Sequence, residues 1–386
     1  MQFKKLAIIS DCVHVQTPDG KTGTDNAVFL KQMEALAHSF EETCICCPVV
    51  ETNNFQNVRF YTHPSIRFLP VPNAGGTTFK SKLGILKTLP YWLDAFKKIN
   101  GWADVVYQRF PNNINIPGFF YFYYKRKKVF ATYTGNWCAY KGEPVTYRLQ
   151  KALLKNWFRG PAAIYFEDDK YHHLFKTFSP SYTLADWQQE TPFVEAKKKH
   201  WQKEPLHTPV FITVGLLAPM KNQQFILDCF LVLKKAGFKF QLYIAGDGVL
   251  RKSYEQFVQQ NGLHDCVFIT GRQNEEQLKA LYRQADFLVH ASLAEGYVKV
   301  PVEGFFHGVI PILNNLPIAS ELIGNDERGY IFSVQEKEQF IALIKSLLQD
   351  TEELQHKIEK GRQYARARTI EQWQAQFLQK IEAYNY

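Results

Sequence analysis

Two glutamates, Glu295 and Glu303, stand eight positions apart in a stretch that predicts a strand, a loop and a helix. Phe287-Leu-Val-His-Ala is a short apolar run, long enough for a buried parallel strand. A helix is expected to begin near Val300, because Pro301 suits a first helical position, and Gly308 suits a left-handed cap at its end. The pattern therefore places one carboxylate in the loop and the other in the first helical turn.

This placement gives the two carboxylates a chemical meaning. Open parallel sheets bind ligands outside the carboxyl ends of their strands. A helix that begins there directs unpaired N–H groups and partial positive charge at the crevice, which suits a phosphate or pyrophosphate. Glu303 can then accept two hydrogen bonds from a ribose diol, while Glu295 faces whatever lies beyond the phosphates. The alternative is a solvated loop carboxylate and a second carboxylate that only complements the helix dipole.

The glutamate pair lies within a longer motif: Ser292-Leu-Ala-Glu-Gly-Tyr, then Glu303-Gly, then Gly308-Val-Ile-Pro-Ile. This motif resembles the signature of the group 1 glycosyltransferases, the retaining family 4 with the GT-B fold, and the order of elements is similar over nearly the whole chain. The resemblance implies that Glu295 lies by the donor sugar and that Glu303 holds the nucleotide ribose.

The same resemblance extends to Lys221, which matches the lysine of a Gly-Arg-Leu-x-x-x-Lys motif that contacts the donor pyrophosphate. Two positions depart from the family pattern. Leu216 stands where the motif has arginine, and Val298 replaces a glycine whose N–H lies close to the donor. One of three cations could supply the lost charge: Arg251, Arg272 or Lys299.

The site expected by resemblance has Glu295 and Lys221 as its catalytic residues. Its donor-binding residues are Glu303, Gly23, Gly271, Arg272, Gly296, Tyr297 and Val298. Gly23 occupies the place of the second glycine of the family's glycine-rich loop, although a plain turn explains it equally. Thr134 stands where many members have a histidine that contacts the sugar. No metal or other cofactor is expected, because a cation and a helix dipole would stabilise the diphosphate.

The elements that position these residues are typical of an α/β protein. Apolar runs alternate with helical periodicity, which predicts doubly wound parallel sheets. With the resemblance, we expect two Rossmann-like domains facing a cleft: an acceptor-binding domain at 1–190 and a nucleotide-sugar domain at 209–355. Residues 191–208, polar and lysine-rich, are predicted to be a linker, and a helix within 356–386 is predicted to return to the first domain.

The charge distribution is uneven along the chain. Residues 1–200 carry 26 Lys and Arg against 16 Asp and Glu, or +10, and residues 201–386 carry 20 against 21, or −1. A basic first half suggests an anionic partner, either a glycan or polyprenyl-phosphate-linked acceptor or an anionic membrane surface. No nucleic-acid-binding pattern is present. No apolar run reaches the ~18 residues of a membrane span, so we expect a cytoplasmic protein at the inner face of the membrane.

The run Gly118-Phe-Phe-Tyr-Phe-Tyr-Tyr-Lys-Arg-Lys-Lys128 has two interpretations. It fits a membrane-docking surface with rings at the interface and cations on headgroups. It also fits a crossover helix whose aromatic side chains are buried and whose basic end is solvated. Glu167-Asp-Asp169 similarly allows a metal site or, as we expect, helix-capping carboxylates.

The expected function is therefore retaining sugar transfer from a nucleotide-diphosphate sugar to a glycan or lipid-linked acceptor, in polysaccharide or glycoconjugate biosynthesis. Leu216, Val298 and Thr134 favour a second hypothesis, an inactive GT-B-like binding or scaffold subunit. A nucleotide-sugar epimerase of the same fold is a third, and it would need no acceptor.

Overall fold

The protein is described by a computed structural model over residues 3–52, 57–74, 79–140, 142–204 and 208–385, with the backbone alone for 79–83. The chain forms two compact units. The first comprises Met1–Ser181 and Ile370–Tyr386, and the second comprises Tyr182–Thr369. The chain therefore leaves the first unit once and returns to it once.

Most strands are short and apolar, as the sequence predicts. Those of the first unit are β1 (Lys5–Ile9), β2 (His14–Gln16), β3 (Thr22–Thr24), β4 (Glu42–Cys47), β5 (Val49–Glu51), β6 (Arg59–Phe60), β7 (Ile66–Pro70), β8 (Val105–Phe110), β9 (Val129–Tyr133), β10 (Ala162–Ile164) and β11 (Leu174–Lys176). Those of the second unit are β12 (Val210–Val214), β13 (Gln241–Ala245), β14 (Val267–Gly271), β15 (Phe287–His290), β16 (Ile310–Asn314) and β17 (Tyr330–Phe332).

Helices connect most of the strands. Those of the first unit are α1 (Ala27–Ala37), α2 (Phe79–Trp102), α3 (Asn115–Tyr124), α4 (Val145–Asn156) and, from the end of the chain, α13 (Ile370–Ala383). Those of the second unit are α5 (Leu184–Lys203), α6 (Gln223–Lys235), α7 (Arg251–Gln260), α8 (Glu275–Gln284), α9 (Val300–Phe306), α10 (Ala319–Ile323), α11 (Lys337–Ser346) and α12 (Thr351–Arg366), with 3₁₀ turns at Pro219–Lys221 and Leu347–Gln349.

Each unit has a parallel sheet at its centre. Within the described residues, the strand order is β11-β10-β9-β8-β1-β4-β7 in the first unit and β14-β13-β12-β15-β16-β17 in the second. All pairings in both sheets are parallel. If β12 is counted as strand 1, the second sheet has the doubly wound strand order 3-2-1-4-5-6. Its direction of winding reverses between β12 and β15, and this switch point is where such sheets bind ligands.

A smaller sheet in the first unit, in the order β5-β2-β3-β6, was not predicted. It contains Gly23, whose strand β3 pairs antiparallel with β6. A Cβ at Gly23 would lie 2.3 Å from the carbonyl oxygen of Arg59. The close approach of two backbones therefore explains this glycine without a ligand, and it replaces the plain turn that was the alternative.

The predicted linker at 191–208 differs from the structure, because helix α5 covers most of it; residues 205–207 lie outside the described ranges. A capping box of Thr183 and Asp186 begins the helix. Its buried positions are Glu190, Val194, Lys197 and Trp201, which lie on one helical face. The polar composition concealed this face because two of its four residues are charged side chains that find partners in the core.

The end of the chain forms two helices where one was expected to return to the first domain. Helix α12 belongs to the second unit, and the return begins only at Ile370. From there α13 buries Trp373, Phe377 and Ile381 in a cluster with residues of the first sheet. The return predicted for 356–386 therefore takes place over the second half of that range, and the boundary predicted at residue 190 lies at Tyr182.

The aromatic run of α3 is divided between the core and the surface. Phe119 and Phe122 are buried in the core, whereas Phe120 and Tyr124 are 42% and 77% exposed. Among the helices that the structure describes, none combines the length and hydropathy needed to span a bilayer.

The acidic stretch 167–169 differs from the expected helix cap, because it lies in a loop between β10 and β11. There Asp168 accepts a hydrogen bond from Trp137 Nε1 at 2.9 Å.

Candidate active site

The signature segment of the second unit folds as the sequence predicts. Strand β15 ends at His290, a loop follows, and α9 carries Pro301 in its first turn. The helix ends at Phe306, and Gly308 has a φ of +63°. A Cβ at Gly308 would also approach Val194 Cγ1 to 2.8 Å, so glycine is required both by the backbone conformation and by the packing of α5.

Glu295 is the acceptor at the centre of a group of polar side chains at the end of β15. One carboxylate oxygen forms an ion pair with Lys221 Nζ. The same oxygen accepts from Ser292 Oγ at 2.7 Å and from His290 Nε2 at 3.2 Å, which places the histidine proton on Nε2. The two residues predicted to be catalytic are thus in direct contact.

The charge on Glu295 is held by these donors against its surroundings. Burial raises the pKa of this carboxyl, since its side chain is only 12% exposed. The hydrogen bonds from His290, Lys221 and Ser292 outweigh burial and lower the pKa to about 2. Glu295 is therefore ionised at neutral pH and can only accept hydrogen bonds, as from sugar hydroxyl groups.

Lys221 is positioned by a turn and not by a regular helix. It ends the 3₁₀ turn after β12, and Asn222 follows with a φ of +53°. The backbone N–H of Leu293 donates to the Met220 carbonyl at 2.9 Å, which ties the loop after β12 to the loop after β15. These strands are adjacent in the sheet, so the ion pair lies at the switch point.

Glu303 lies half-buried in the first turn of α9. Tyr282 on α8 donates from its hydroxyl to Glu303 Oε2 at 3.3 Å. The Tyr282 ring stacks on His307 with centroids 5.1 Å apart, and His307 Nδ1 lies 2.9 Å from Glu190 Oε2. A buried set of side chains from α5 and α8 therefore supports the carboxylate predicted to hold the ribose.

The ammonium group of Lys197, on α5, binds the carboxyl ends of α8 and α9. Its Nζ donates to the carbonyls of Tyr282 and Ala285 at the end of α8, and to that of His307 at the end of α9. Burial lowers the pKa of Lys197 to about 8, although Asp286 and Glu190 oppose this shift. A cation that binds the last carbonyls of two helices stabilises both ends.

A pocket of about 450 Å³ opens at the carboxyl ends of β12, β13 and β14. Glycines allow the loops that follow these three strands to approach one another closely. A Cβ at Gly246 would lie 1.8 Å from the Gly215 carbonyl oxygen, and one at Gly248 would lie 2.4 Å from that of Leu217. Gly271 ends β14 with a φ of +72°. Pockets of roughly 300–1,000 Å³ are typical of small-molecule sites.

The cations around this pocket differ in what they contact. Arg272 lines it and is exposed, together with Leu216, which is 61% exposed. Arg251 instead lies between Asp247 and Glu255, at 3.0 and 2.8 Å. Of the three candidates for the missing motif arginine, Arg272 is the one that lines the pocket.

The side chain of Val298, which stands where the family has glycine, packs in the core. It is 4% exposed in a cluster with Ile212, Leu288 and Val302. Gly296 and Tyr297 precede it in the same loop and are partly exposed. The valine side chain therefore anchors the end of the signature loop, and the loop bearing Glu295 is fixed at both ends.

Gly23 and Thr134 belong to the first unit, whereas Glu295, Lys221 and Glu303 belong to the second. The Thr134 hydroxyl donates to the Phe110 carbonyl at 3.0 Å at the carboxyl ends of β8 and β9. Within the described ranges, no three His, Cys, Asp or Glu side chains cluster so as to hold a metal ion.

Sequence reasoning missed three residues of the site: His290, Ser292 and Tyr282. The first two follow or end a buried strand at the switch point, so their position was a usable signal. Tyr282 gave no such signal, because its apolar helical spacing is that of an ordinary core residue.

A family model described as "Glycosyl transferases group 1" matches residues 195–364. The putative glycosyltransferase EpsF of Bacillus subtilis is 38% identical over 97 residues, 25% of this chain and 24% of that protein. A GDP-mannose:cellobiosyl-diphosphopolyprenol alpha-mannosyltransferase of Xanthomonas oryzae is 34% identical over 99 residues, 24% of this chain and 25% of that protein. The chain thus matches about a quarter of the length of these curated relatives.

Similarity to solved structures extends over the whole chain. Sucrose-phosphate synthase from Thermosynechococcus elongatus superposes with a TM-score of 0.72 at 18% identity, over 97% of this chain and 98% of that one. Anabaena Alr3699/HepE in complex with UDP gives 0.70 at 14% identity, over 98% and 100%. This shared architecture shows that the chain has the GT-B fold, and its residues 195–364 match the family model of the group 1 glycosyltransferases.

Proposed function

We propose that the protein transfers a sugar from a nucleotide-diphosphate sugar to an acceptor, with retention of the anomeric configuration. The observation that carries this proposal is the contact between Lys221 and Glu295 at the switch point, beside a pocket lined by glycines and Arg272. A nucleotide fits that pocket in size, and its diphosphate suits the cations there.

The roles of the residues follow from their charges. Lys221 stabilises the negative charge that builds on the leaving diphosphate, an electrostatic contribution that needs no metal ion. Glu295 accepts hydrogen bonds from the sugar and orients it. Glu303, held by Tyr282, accepts from the ribose. Arg272 supplies the charge that Leu216 lacks, and Gly271, Gly296 and Tyr297 bring backbone close to the donor.

Lys221 and Glu295 form an ion pair with each other in the structure. When the donor binds, part of this ion pair is replaced by contacts of Lys221 with the diphosphate and of Glu295 with the sugar. The ion pair therefore holds both side chains, before the donor binds, close to the positions that the donor requires. Such preorganisation lowers the cost of ordering two charged side chains during catalysis.

The acceptor is proposed to be a glycan or a polyprenyl-phosphate-linked sugar, and the transferred group a hexose. Two observations support a lipid-linked acceptor. The first 200 residues carry a net charge of +10, and the Xanthomonas relative is named for a diphosphopolyprenol acceptor. We place the reaction at the cytoplasmic face of an anionic membrane, in polysaccharide or glycoconjugate biosynthesis.

The test is a thermal-shift screen of the purified protein with UDP, GDP and ADP and their sugars, followed by assay of nucleotide release. We expect one nucleotide to raise the melting temperature, because a ligand of the native state stabilises it by about 2.7 kcal/mol at 100 times its Kd. Its sugar should then be hydrolysed or transferred, and Lys221→Gln should lose most of that turnover. Lys252→Gln, an exposed lysine on α7, is the matched control.

Three results would contradict the proposal. Binding without turnover would indicate an inactive binding subunit. Release of an epimerised sugar without any acceptor would indicate an epimerase. Full turnover by Lys221→Gln would remove Lys221 from the site.

A further inference from the structure

A second cavity lies in the first unit, at the amino ends of β9 and β10. Its volume is about 330 Å³. Ten residues line it: Gln108, Phe119, Phe122, Tyr123, Arg126, Lys127, Lys128, Val129, Phe158 and Arg159. Four of them are cations and none is a carboxylate. The reaction proposed above uses none of these residues.

The walls of the cavity are aromatic. Phe119 and Phe158 stack with ring centroids 6.2 Å apart, and Phe119 and Tyr123 stack at 5.9 Å. Phe122 and Val129 are buried and complete the apolar lining. An apolar chain, and not a sugar, is the chemistry that such walls favour.

The cations hold different positions at the cavity. Lys127 donates to the carbonyls of Asn100 and Ala103, so it closes one side of the cavity. Arg159 lies over the Tyr123 ring at 4.1 Å and donates to the tyrosine hydroxyl at 2.9 Å. Because a guanidinium has five N–H donors, Arg159 held in this way still has donors for a phosphate.

The backbone conformation of Arg126 gives a second, independent indication that its side chain has a role at the cavity. Its φ is +51°, a left-handed conformation that favours glycine at this position after a helix. The Arg126 N–H bonds back to the Tyr123 carbonyl and the Lys127 N–H to that of Phe122, which closes the end of α3. An exposed arginine at a position that suits glycine indicates that the side chain is needed there.

The surroundings of the cavity carry exposed aromatic side chains. Phe120 and Tyr124 are four residues apart on α3, and Trp157, beside Phe158, is 53% exposed. Exposed aromatics beside cations are the composition of surfaces that lie at the membrane interface.

We propose that this cavity binds one anionic phospholipid of a membrane surface, with the phosphate on Arg126 and Arg159 and the start of an acyl chain between Phe119, Phe122 and Phe158. The site deepens the proposed membrane contact and rests on it, but it is independent of the donor site. Surface charge attracts the protein non-specifically to anionic lipid, whereas this cavity binds one lipid molecule specifically.

The first test uses monomeric short-chain lipids, which separate the cavity from the surface charge. Dihexanoyl phosphatidylglycerol, below its micelle concentration, is titrated calorimetrically beside dihexanoyl phosphatidylcholine and inorganic phosphate. We expect phosphatidylglycerol to bind at least tenfold more tightly than either. Equal binding of the two lipids, or binding of phosphate as tight as that of phosphatidylglycerol, would overturn the site.

The variants are chosen to fold. Arg126→Gly places glycine in a conformation that suits it, and Arg159→Gln keeps a hydrogen-bond donor near Tyr123. Each should weaken phosphatidylglycerol binding at least fivefold. Arg148→Gln, which replaces an exposed cation in the first turn of α4 that does not line the cavity, should change it less than twofold. Unchanged binding in both cavity variants contradicts the proposal.

The second test uses vesicles with and without phosphatidylglycerol at low salt, where surface attraction is strongest. We expect sedimentation with anionic vesicles that Arg126→Gly weakens. Vesicle binding that both cavity variants leave unchanged, without any short-chain binding, would refute the cavity and leave the membrane contact standing. Absence of vesicle binding would refute both.

Discussion

At the scale of single residues, Glu295 shows how a buried charge is kept. Its carboxylate lies in surroundings that disfavour ionisation, yet Lys221, His290 and Ser292 all donate to one oxygen. Burial and hydrogen bonding act on the pKa in opposite directions, and here hydrogen bonding prevails. The site is therefore poised to exchange these donors for those of a ligand.

Replacement of the carboxylate should cost stability in a pH-dependent way. The pKa falls from 4.5 to about 2, and 2.5 units at 1.36 kcal/mol each correspond to roughly 3 kcal/mol. Because the folded pKa is depressed, this stabilisation is present above pH 4.5 and is lost as pH falls toward 2. We expect the free energy of unfolding of Glu295→Gln at pH 7 to be lower than that of wild type, by up to roughly 3 kcal/mol. Urea unfolding of the second unit measures this difference.

The same comparison at lower pH provides the control. The difference between the two proteins should shrink steadily below pH 4.5, since the unfolded wild-type chain takes up a proton on Glu295 there while the folded carboxylate, with its pKa of about 2, stays charged. A difference that stays constant from pH 7 down to pH 3 would mean that the glutamine acts through packing and not through charge.

At the scale of secondary-structure elements, helix α5 is a polar segment with charged side chains that are buried in the core. Its polar sequence predicted a linker, but Lys197 and Glu190 are buried and hydrogen-bonded in the core. Lys197 holds the ends of α8 and α9, the helices that carry Tyr282 and Glu303. A helix outside the site thus fixes the two helices that form one side of it.

Removing that ammonium should loosen both helices at once. We expect Lys197→Met to destabilise the second unit by about 2–3 kcal/mol, because three helix-end carbonyls lose their donor in a buried place. Hydrogen exchange at the amides of α8 and α9 should accelerate together.

Lys199→Met is the control on the same helix, since Lys199 is exposed. It should leave exchange unchanged. Faster exchange in only one of the two helices of Lys197→Met would contradict the common anchoring.

Sequence predicted the elements whose signal is local. The apolar runs of β1, β9 and β12 and the helix at Val300–Phe306 lie within a few residues of their predicted positions, and the structure brings Glu295 and Lys221 into contact. The four-stranded sheet was missed because its strands have two or three residues and pair across long sequence distances. The burial of the Val298 side chain was not predicted, since sequence shows which residue is present and not the direction in which its side chain points.

At the scale of the whole molecule, α13 completes the first unit from the far end of the chain. Phe377 is fully buried, with ring centroids 6.0 Å from Tyr107 and 6.2 Å from Phe130. The core on this face of the sheet therefore depends on residues that follow the entire second unit.

Truncation of that ring should affect one unit only. We expect Phe377→Ala to lower the unfolding free energy of the first unit by about 3–5 kcal/mol, the usual cost of a phenylalanine-sized cavity. Amides of β1 and β9 should exchange faster, while those of β12 and β15 keep their protection.

Gln379→Ala, on the exposed face of α13, should alter neither set. Equal acceleration in both units of Phe377→Ala would show that α13 supports more than the first unit.

The return of the chain at Ile370 has a consequence for biosynthesis. A nascent polypeptide emerges from the ribosome amino end first, and domains commonly fold in that order. Here the second unit can finish folding while the first still lacks α13. The unit that is begun first is therefore completed last, and until α13 is synthesised it exposes an apolar sheet face around Tyr107 and Phe130 of the kind that chaperones cover.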